Sequence, residues 1–313
     1  MDPITLSILI FLLLFTLLAI GLPIGFAMAF TGFLGSALLD GLNPALWLLG
    51  QTAYETPIDY NLSIVPLFIL MGYFASNAGL SEALFNACNT WLGYRRGGLA
   101  LATIGGCGAF AAICGSSLAT AATMTQVALP EMKRYHYDES LATGSIAAGG
   151  TIGILIPPSV ILVLYGILTE SNIGELFLAG FIPGILTILF FMVTISIITG
   201  IYPETGPRGA KTTFAQKMYA FKNVWSTVLL FLLVIGGIYL GFFSPEEAAG
   251  IGASGALLLA VMARTMTWKI FFDCLMETVK TSAMIFTILI GAILFNNFLV
   301  LSGLPASIGT WLG

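Results

Sequence analysis

Long apolar runs, rather than alternating or amphipathic ones, organise this chain. They lie at about residues 4–21, 23–39, 62–79, 175–200, 224–241, 245–263 and 281–301, close to the length a helix needs to cross a hydrocarbon core of roughly 30 Å. A barrel strand crosses in about half as many residues, so the runs predict helices. The connections Gly21-Leu-Pro23 and Gly241-Phe-Phe-Ser-Pro245 end one helix and begin the next, with proline near the first turn, where its missing N–H is least costly. Polar segments at about 202–223 and 264–280 contain amphipathic runs such as Phe214–Phe221, which predict helices lying along the membrane surface.

The pattern changes between residues 97 and 169. From Gly98 to Cys114 the chain is small and apolar, then Gly115-Ser116-Ser117 intervenes, then a second small-residue run continues to Pro130. Arms of about 16 residues reach roughly 24 Å, short of a full crossing. Two short arms meeting at a Gly-Ser-Ser tip predict a re-entrant helical hairpin over 97–134. A second irregularity follows within 139–169, where Gly149-Gly150-Thr151-Ile-Gly153 leads into Pro157-Pro158-Ser159. Adjacent prolines remove two backbone donors and push the preceding residue out of helical geometry, so this helix is predicted to open. Open backbone at membrane depth is tolerated only where protein or a cavity satisfies it.

Composition narrows the class. Of 313 residues, 58% are hydrophobic and 8% charged, with a mean hydropathy of +0.99; a water-soluble surface needs about three times that charge. Eleven Lys and Arg against 15 Asp and Glu leave no basic excess for nucleic acid. The charges are sorted by sign. Arg95 and Arg96 precede the hairpin, and Lys133 and Arg134 follow it. Counting crossings puts Arg208, Lys211, Lys217, Lys222, Arg264, Lys269 and Lys280 on the same side. Asp2, Asp40, Glu55, Asp59, Glu170, Glu175, Glu246 and Glu247 fall on the other side. By the positive-inside rule the basic side is cytoplasmic, which places the N-terminus in the periplasm and opens the hairpin toward the cytoplasm. No Lys or Arg precedes the first run, so it reads as a retained helix and not a signal peptide. Trp47, Trp91, Trp225, Trp268 and Trp311 stand near span ends, as interface anchors do.

Reactive chemistry is sparse. There is one histidine, His136, and the four cysteines Cys88, Cys107, Cys114 and Cys274 show no metal-ligand spacing; buried small hydrophobes is the simpler reading. No G-x-x-x-x-G-K-[ST] occurs. Gly250-Ile-Gly252-Ala-Ser-Gly255 matches a dinucleotide fingerprint in letters only, because it sits inside an apolar run with no strand before it. No nucleophile–base pair suggests an enzyme. Glu131, Asp138 and Glu139 read as solvated interface charges, and few acids sit mid-span, which argues against a carboxylate proton relay.

A weak internal repeat is present. Gly21-Leu-Pro23 resembles Gly241-Phe-Phe-Ser-Pro245, Phe68–Gly72 resembles Thr287–Gly291, and Asn89-Thr-Trp-Leu-Gly93 resembles Gly309-Thr-Trp-Leu-Gly313. Order and spacing agree, and the topology count inverts the halves, as in secondary transporters. The expected organisation is a first inverted repeat over 1–205, with an exit helix at 175–200, then a cytoplasmic amphipathic linker over 206–223. The start of a second repeat occupies 224–313 and stops before its own hairpin. Completing it would bring the length to about 420 residues, so the chain is expected to be a truncated sequence or a fragment.

The stretches Cys114-Gly115-Ser116-Ser117-Leu-Ala119-Thr120-Ala121, Leu129-Pro130-Glu-Met132, Gly153-Ile-Leu-Ile-Pro157-Pro158-Ser159, Leu176–Gly184 and Gly236–Ala249 resemble the large membrane (M) subunit of TRAP transporters, in the ion transporter superfamily. Two departures are visible: His136 stands where a glycine usually precedes the Tyr-Asp pair, and Ser244 replaces a usual threonine. The resemblance implies an all-α integral membrane protein of the inner membrane, an inverted-repeat elevator-type transporter with a re-entrant hairpin and a broken helix. It implies Na⁺-coupled import of a carboxylate-bearing solute, such as a dicarboxylate or another organic acid. The implied partners are a periplasmic substrate-binding protein and a small four-helix membrane subunit, with Na⁺ as coupling ion and no other cofactor. Alternatives are a binding-protein-independent Na⁺/anion symporter of similar fold and the permease of an ATP-driven importer.

The residues themselves suit such a role. Na⁺ favours several hard oxygen ligands, and half-helix N-termini favour a carboxylate. The candidate site is therefore Gly115, Ser116, Ser117 and Thr120 at the tip with Gly153, Pro157, Pro158 and Ser159 at the break; Thr151 and Thr123 are secondary candidates. Na⁺ is assigned to oxygens of Ser116, Ser117, Pro157 and Ser159. Gly149 and Gly153 also spell a G-x-x-x-G packing motif, and on that motif alone helix packing is the simpler explanation. The hairpin and the double proline in succession favour a site.

Overall fold

The computed structural model describes residues 2–312, with side chains through Thr310. The Trp311 side chain, and Gly313 at the end of the last repeat match, lie outside it. In chain order the helices are Pro3–Ala19 (α1), Ile24–Asp40 (α2), Leu42–Ile58 (α3), Ile64–Asn77 (α4), Leu80–Leu92 (α5), Gly98–Cys114 (α6), Ser117–Arg134 (α7) and Glu139–Thr151 (α8). They continue with Val160–Leu168 (α9), Ile173–Ile201 (α10), Phe214–Asn223 (α11), Trp225–Phe231 (α12), Gly237–Tyr239 (α13), Pro245–Met262 (α14), Trp268–Leu301 (α15) and Leu304–Leu312 (α16). The described residues contain no strand.

The chain divides into two compact units, one containing the residues up to Leu62 together with Val279 onward, the other Ser63–Thr278. In the first, Asp2 caps α1 by accepting from Thr5 N–H at 3.3 Å, with Pro3 at its first position. Leu6, Ile10 and Leu14 of α1 pack with Ala27, Phe295 and Phe298, and Phe11 meets Phe295 edge-on at 5.2 Å. The missing side chain at Gly32 lets α2 approach the α15 backbone: a Cβ there would stand 2.5 Å from Phe295 N. This is the small-residue packing that membrane helices use in place of a hydrophobic drive.

In the second unit α4 pairs with α14, where a Cβ on Gly252 would strike Met71 Sδ. A reciprocal capping box starts α14: Ser244 N–H donates to Glu247 Oε2 at 2.9 Å and Glu247 N–H to Ser244 Oγ at 3.3 Å. Left-handed turns recur along the chain in matching order. Gly21, Gly41 and Gly79 have φ of 93°, 98° and 77°, and Gly241, Arg264 and Gly303 have 73°, 59° and 69°.

Several elements differ from the sequence expectation. Helices α10 and α15 are long and apolar enough to cross a membrane, and α3 with Asn61–Asn77 and α11 with Trp225–Tyr239, the latter pair bent by 45°, reach that length together. The segment 264–280 is helical from Trp268, where it continues without a break into the apolar run as the first part of α15. Helix α3 was not anticipated because Asn43, Gln51 and Glu55 dilute its apolar character. The 224–241 run is interrupted by a π turn at Leu232–Gly236.

Candidate functional site

Helix α6 has 17 residues and α7 has 18, so each is about 26 Å long, slightly more than the sequence suggested. Gly115 ends α6 with φ 62°, donating N–H to Ala111 O at 3.1 Å; left-handed backbone of this kind suits glycine. The chain then turns extended at Ser116, whose Oγ accepts from Ala119 N–H at 3.4 Å and caps α7. No residue from 98 to 130 or from 140 to 169 carries a charge.

The second break is built differently. Helix α8 tightens into a 3₁₀ turn at Ile152–Ile154, and Leu155 N–H and Ile156 N–H both reach Ile152 O, at 3.0 and 3.2 Å. The prolines follow, joined by a cis peptide. Ser159 restarts the helix. Its hydroxyl donates to Ile154 O at 2.7 Å, spanning the break, and accepts from Leu162 N–H at 3.4 Å as the α9 cap.

The two breaks meet. Val160 N–H donates to Gly115 O at 3.2 Å, and a Cβ on Gly115 would strike Pro158 O. A Cβ on Gly153 would stand 2.8 Å from Ser116 O and 3.0 Å from Thr120 Oγ1, and one on Gly150 would stand 2.8 Å from Ala121 Cβ. Helix α10 closes the other side, with Gly180 against Leu155 O and Gly184 against Ile156. The N-termini of α7 and α9 and the C-termini of α6 and α8 thus surround one region, giving partial charges of both signs without an ionised side chain. Thr120 is fully buried and its hydroxyl has no hydrogen-bond partner. The Cys114 thiol is its neighbour without making an ordinary hydrogen bond.

Of the sequence candidates, Gly115, Ser116, Thr120, Gly153, Pro158 and Ser159 are brought together, with buried Pro157 between them in the chain. Ser117 begins α7, half-buried, its carbonyl 3.3 Å from where a Gly150 Cβ would lie. Two are placed elsewhere. Thr151 is exposed and donates within α8 to Ala148 O at 2.7 Å. Thr123 lies 3.3 Å from Ser76 Oγ on α4. Gly149 packs against Cys107 of α6, so the G-x-x-x-G pair serves packing at one glycine and the break at the other. Sequence reasoning missed Gly150, and it did not see that Gly180 and Gly184 hold the opened segment, although their spacing is itself G-x-x-x-G.

It also missed the base of the hairpin. Tyr137, between α7 and α8, accepts from Leu99 N–H at 3.1 Å and donates to Pro207 O at 2.9 Å. Burial pushes its phenol up, against the opposing Leu99 N–H, which keeps the donated proton in place. Asp138 N–H donates to Thr205 O at 3.0 Å and Gly97 N–H to Gly206 O at 2.9 Å, so a strap over 202–213 ties both ends of the hairpin. The Asp138 carboxyl is held below its ordinary value by the Ser140 hydroxyl and the Leu141 and Ser140 N–H groups. Among the described residues no three His, Cys, Asp or Glu side chains cluster as a metal site.

Two interrupted helices joined inside an apolar helical chain are the arrangement of a membrane permease. Comparison with known proteins agrees and is more specific. The chain belongs to the family described as "Tripartite ATP-independent periplasmic transporter, DctM component", whose family model matches residues 11–313. It is 35% identical over 259 residues to the C4-dicarboxylate TRAP transporter large permease protein DctM of Pseudomonas aeruginosa, covering 82% of this chain and 60% of that one. It is 34% identical over 292 residues to the isethionate TRAP transporter permease protein DctMQ of Oleidesulfovibrio alaskensis (92% and 45%). It is 33% identical over 293 residues to the sialic acid TRAP transporter large permease protein SiaM of Vibrio cholerae (91% and 66%). The chain thus spans about half to two-thirds of the length of these relatives.

Proposed function

We propose that this chain is the inner-membrane permease subunit of a Na⁺-coupled transporter importing a carboxylate-bearing solute. The solute is delivered by a periplasmic binding protein, and a small membrane subunit assists. The observation that carries the reading is the junction of the hairpin tip with the broken helix at Gly115, Pro158 and Val160. Around it are carbonyls, the Ser116, Ser117 and Ser159 hydroxyls, and a buried Thr120 oxygen with no partner. That set suits a small hard cation, with Ser116, Ser117, Pro157 and Ser159 as ligands and the Thr120 hydroxyl as a further oxygen, and the helix N-termini suit a carboxylate. Names of relatives that specify C4-dicarboxylate, isethionate and sialic acid support an organic acid as solute, and the family's ATP-independence disfavours an ATP-driven importer.

The same reading makes residues 1–205 one inverted repeat and 224–313 the start of its counterpart, joined by a linker over 206–223, with a re-entrant hairpin and an N-terminus in the periplasm, working by an elevator motion. Support comes from the recurrent left-handed turns and from an exchange of partners. Helix α2 packs on α15, and α14, the counterpart of α2, packs on α4, the counterpart of the α15 core. Uptake into proteoliposomes containing the partner subunits tests the site. It should require Na⁺ and collapse in Ser117→Ala and Pro158→Ala; undiminished Na⁺-dependent uptake in both variants contradicts the assignment.

A further inference from the structure

The strap over 202–213 does more than close the base of the hairpin. Gly209 N–H donates to Gly93 O at 2.9 Å and Thr212 Oγ1 to Thr90 O at 2.7 Å. These bonds carry Arg208 and Lys211 to the turn that bears Arg95 and Arg96, residues more than a hundred positions away in sequence. Helix α11, packed on α5, adds Lys217 and Lys222. Lys217 Nζ sits over the rings of Trp91 and Tyr94, 5.3 and 5.2 Å from their centroids, and the Arg95 guanidinium lies 5.7 Å from the Tyr94 centroid. None of these six cations forms an ion pair among the described residues, whereas Arg134 pairs with Glu131. The local acids are Glu204 on the strap, Asp138 bonded to it with Glu139 following, and Glu82 on α5.

An apolar surface surrounds the charges. Helix α11 buries no residue, and Phe214, Met218, Tyr219 and Phe221 are exposed, with Trp225 following. Beneath the strap is a cavity of about 180 Å³ whose lining includes Asn89, Tyr135, Arg208 and Thr212. Aromatic side chains and six unpaired cations at one end of an apolar helical unit suit a layer that is itself both apolar and negatively charged. A soluble acidic partner would satisfy the charges and leave the rings in water.

We infer that this corner, formed by the α5–α6 turn, the strap and α11, binds the phosphate headgroups of anionic phospholipids, with the α11 aromatics in the acyl region. The test is fluorescence quenching by brominated lipid, using full chain in which Trp47, Trp268 and Trp311 are replaced by Phe, so that Trp91 and Trp225 report on the corner. Vesicles of phosphatidylcholine contain a minor fraction of either brominated phosphatidylglycerol or brominated phosphatidylcholine. Brominated phosphatidylglycerol should quench more strongly, and its apparent preference should fall about fivefold for each cation removed in the series Arg208→Gln, Lys211→Gln and Lys217→Gln. Lys217→Arg should retain it, as should Lys269→Gln outside the corner. Equal quenching by the two lipids, or a preference unchanged in the triple variant, overturns the proposal. Loss of the preference on adding inorganic phosphate, but not chloride at matched ionic strength, assigns the corner to free phosphate and overturns it as well. Loss of secondary structure in the triple variant is checked by circular dichroism, and Lys217→Arg with Arg208→Lys then preserves the charge comparison.

Discussion

Ser159→Ala removes one oxygen from the break and tests whether the opened helix is held by its own side chain. Ser159 is fully buried, so no solvent replaces what is lost. Its bond to Ile154 O, at 2.7 Å, spans the prolines. Without it a buried carbonyl loses this partner, a loss of about 1–3 kcal/mol. The cap on Leu162 N–H is long at 3.4 Å, so its loss belongs at the low end of the capping range, about 0.5 kcal/mol. Together the variant should be less stable by about 1.5–3.5 kcal/mol. The assay is reversible unfolding of the full chain in mixed micelles against increasing dodecyl sulfate. Ser159→Thr, which keeps the hydroxyl, should recover most of the loss. A change below about 0.5 kcal/mol in Ser159→Ala, within the range of an inconsequential substitution, would refute the view that this hydroxyl holds the break.

Other outcomes follow from the same contacts. Gly115→Ala adds left-handed strain of about 1–2 kcal/mol and drives a methyl into Pro158 O, so it should both destabilise the chain and raise cysteine-accessibility labelling at the tip. Tyr137→Phe leaves Leu99 N–H and Pro207 O without the hydroxyl that joins them and should cost about 1–3 kcal/mol, read in the same unfolding assay. His136 occupies a left-handed position with φ 56°, so His136→Gly should stabilise by about 1 kcal/mol. Because the Asp138 carboxyl is held below the ordinary carboxylate value, its contribution is complete above that value and is lost as pH falls through its lowered folded one. Asp138→Asn should therefore lower stability at neutral pH toward the level that both forms share in acid, and so flatten the acid limb of stability against pH.

Much of the architecture was legible because bilayer thickness dictates run length and proline dictates where a helix opens. The hairpin tip was visible in Gly115-Ser116-Ser117 and the break in Pro157-Pro158. Their contact was not, since nothing in either segment encodes the Val160 bond to Gly115. Helix α3 was missed, and the continuity of 268–280 with the apolar run after it was not foreseen, because polar residues within a span lower its apolar signal whether or not they are packed against protein. The strap escaped notice for a different reason. Its hold on the hairpin runs through backbone groups of Gly93, Gly97, Thr205 and Gly206, which every sequence possesses. Tyr137 gave a weak clue, as the tyrosine of the Tyr-Asp pair of the resemblance, but its two partners are distant in the chain.

Thr120 gives the most direct test of the proposed Na⁺ site. Its hydroxyl is buried and has no hydrogen-bond partner, so replacing it with the isosteric Val relieves an unsatisfied polar group when no ligand is bound. Melting temperature of purified chain is measured for both forms in NaCl and in choline chloride at equal ionic strength. The account predicts that Thr120→Val melts at or above the parent temperature in choline and loses the rise that Na⁺ gives the parent. A Na⁺-dependent rise of equal size in both forms would contradict it.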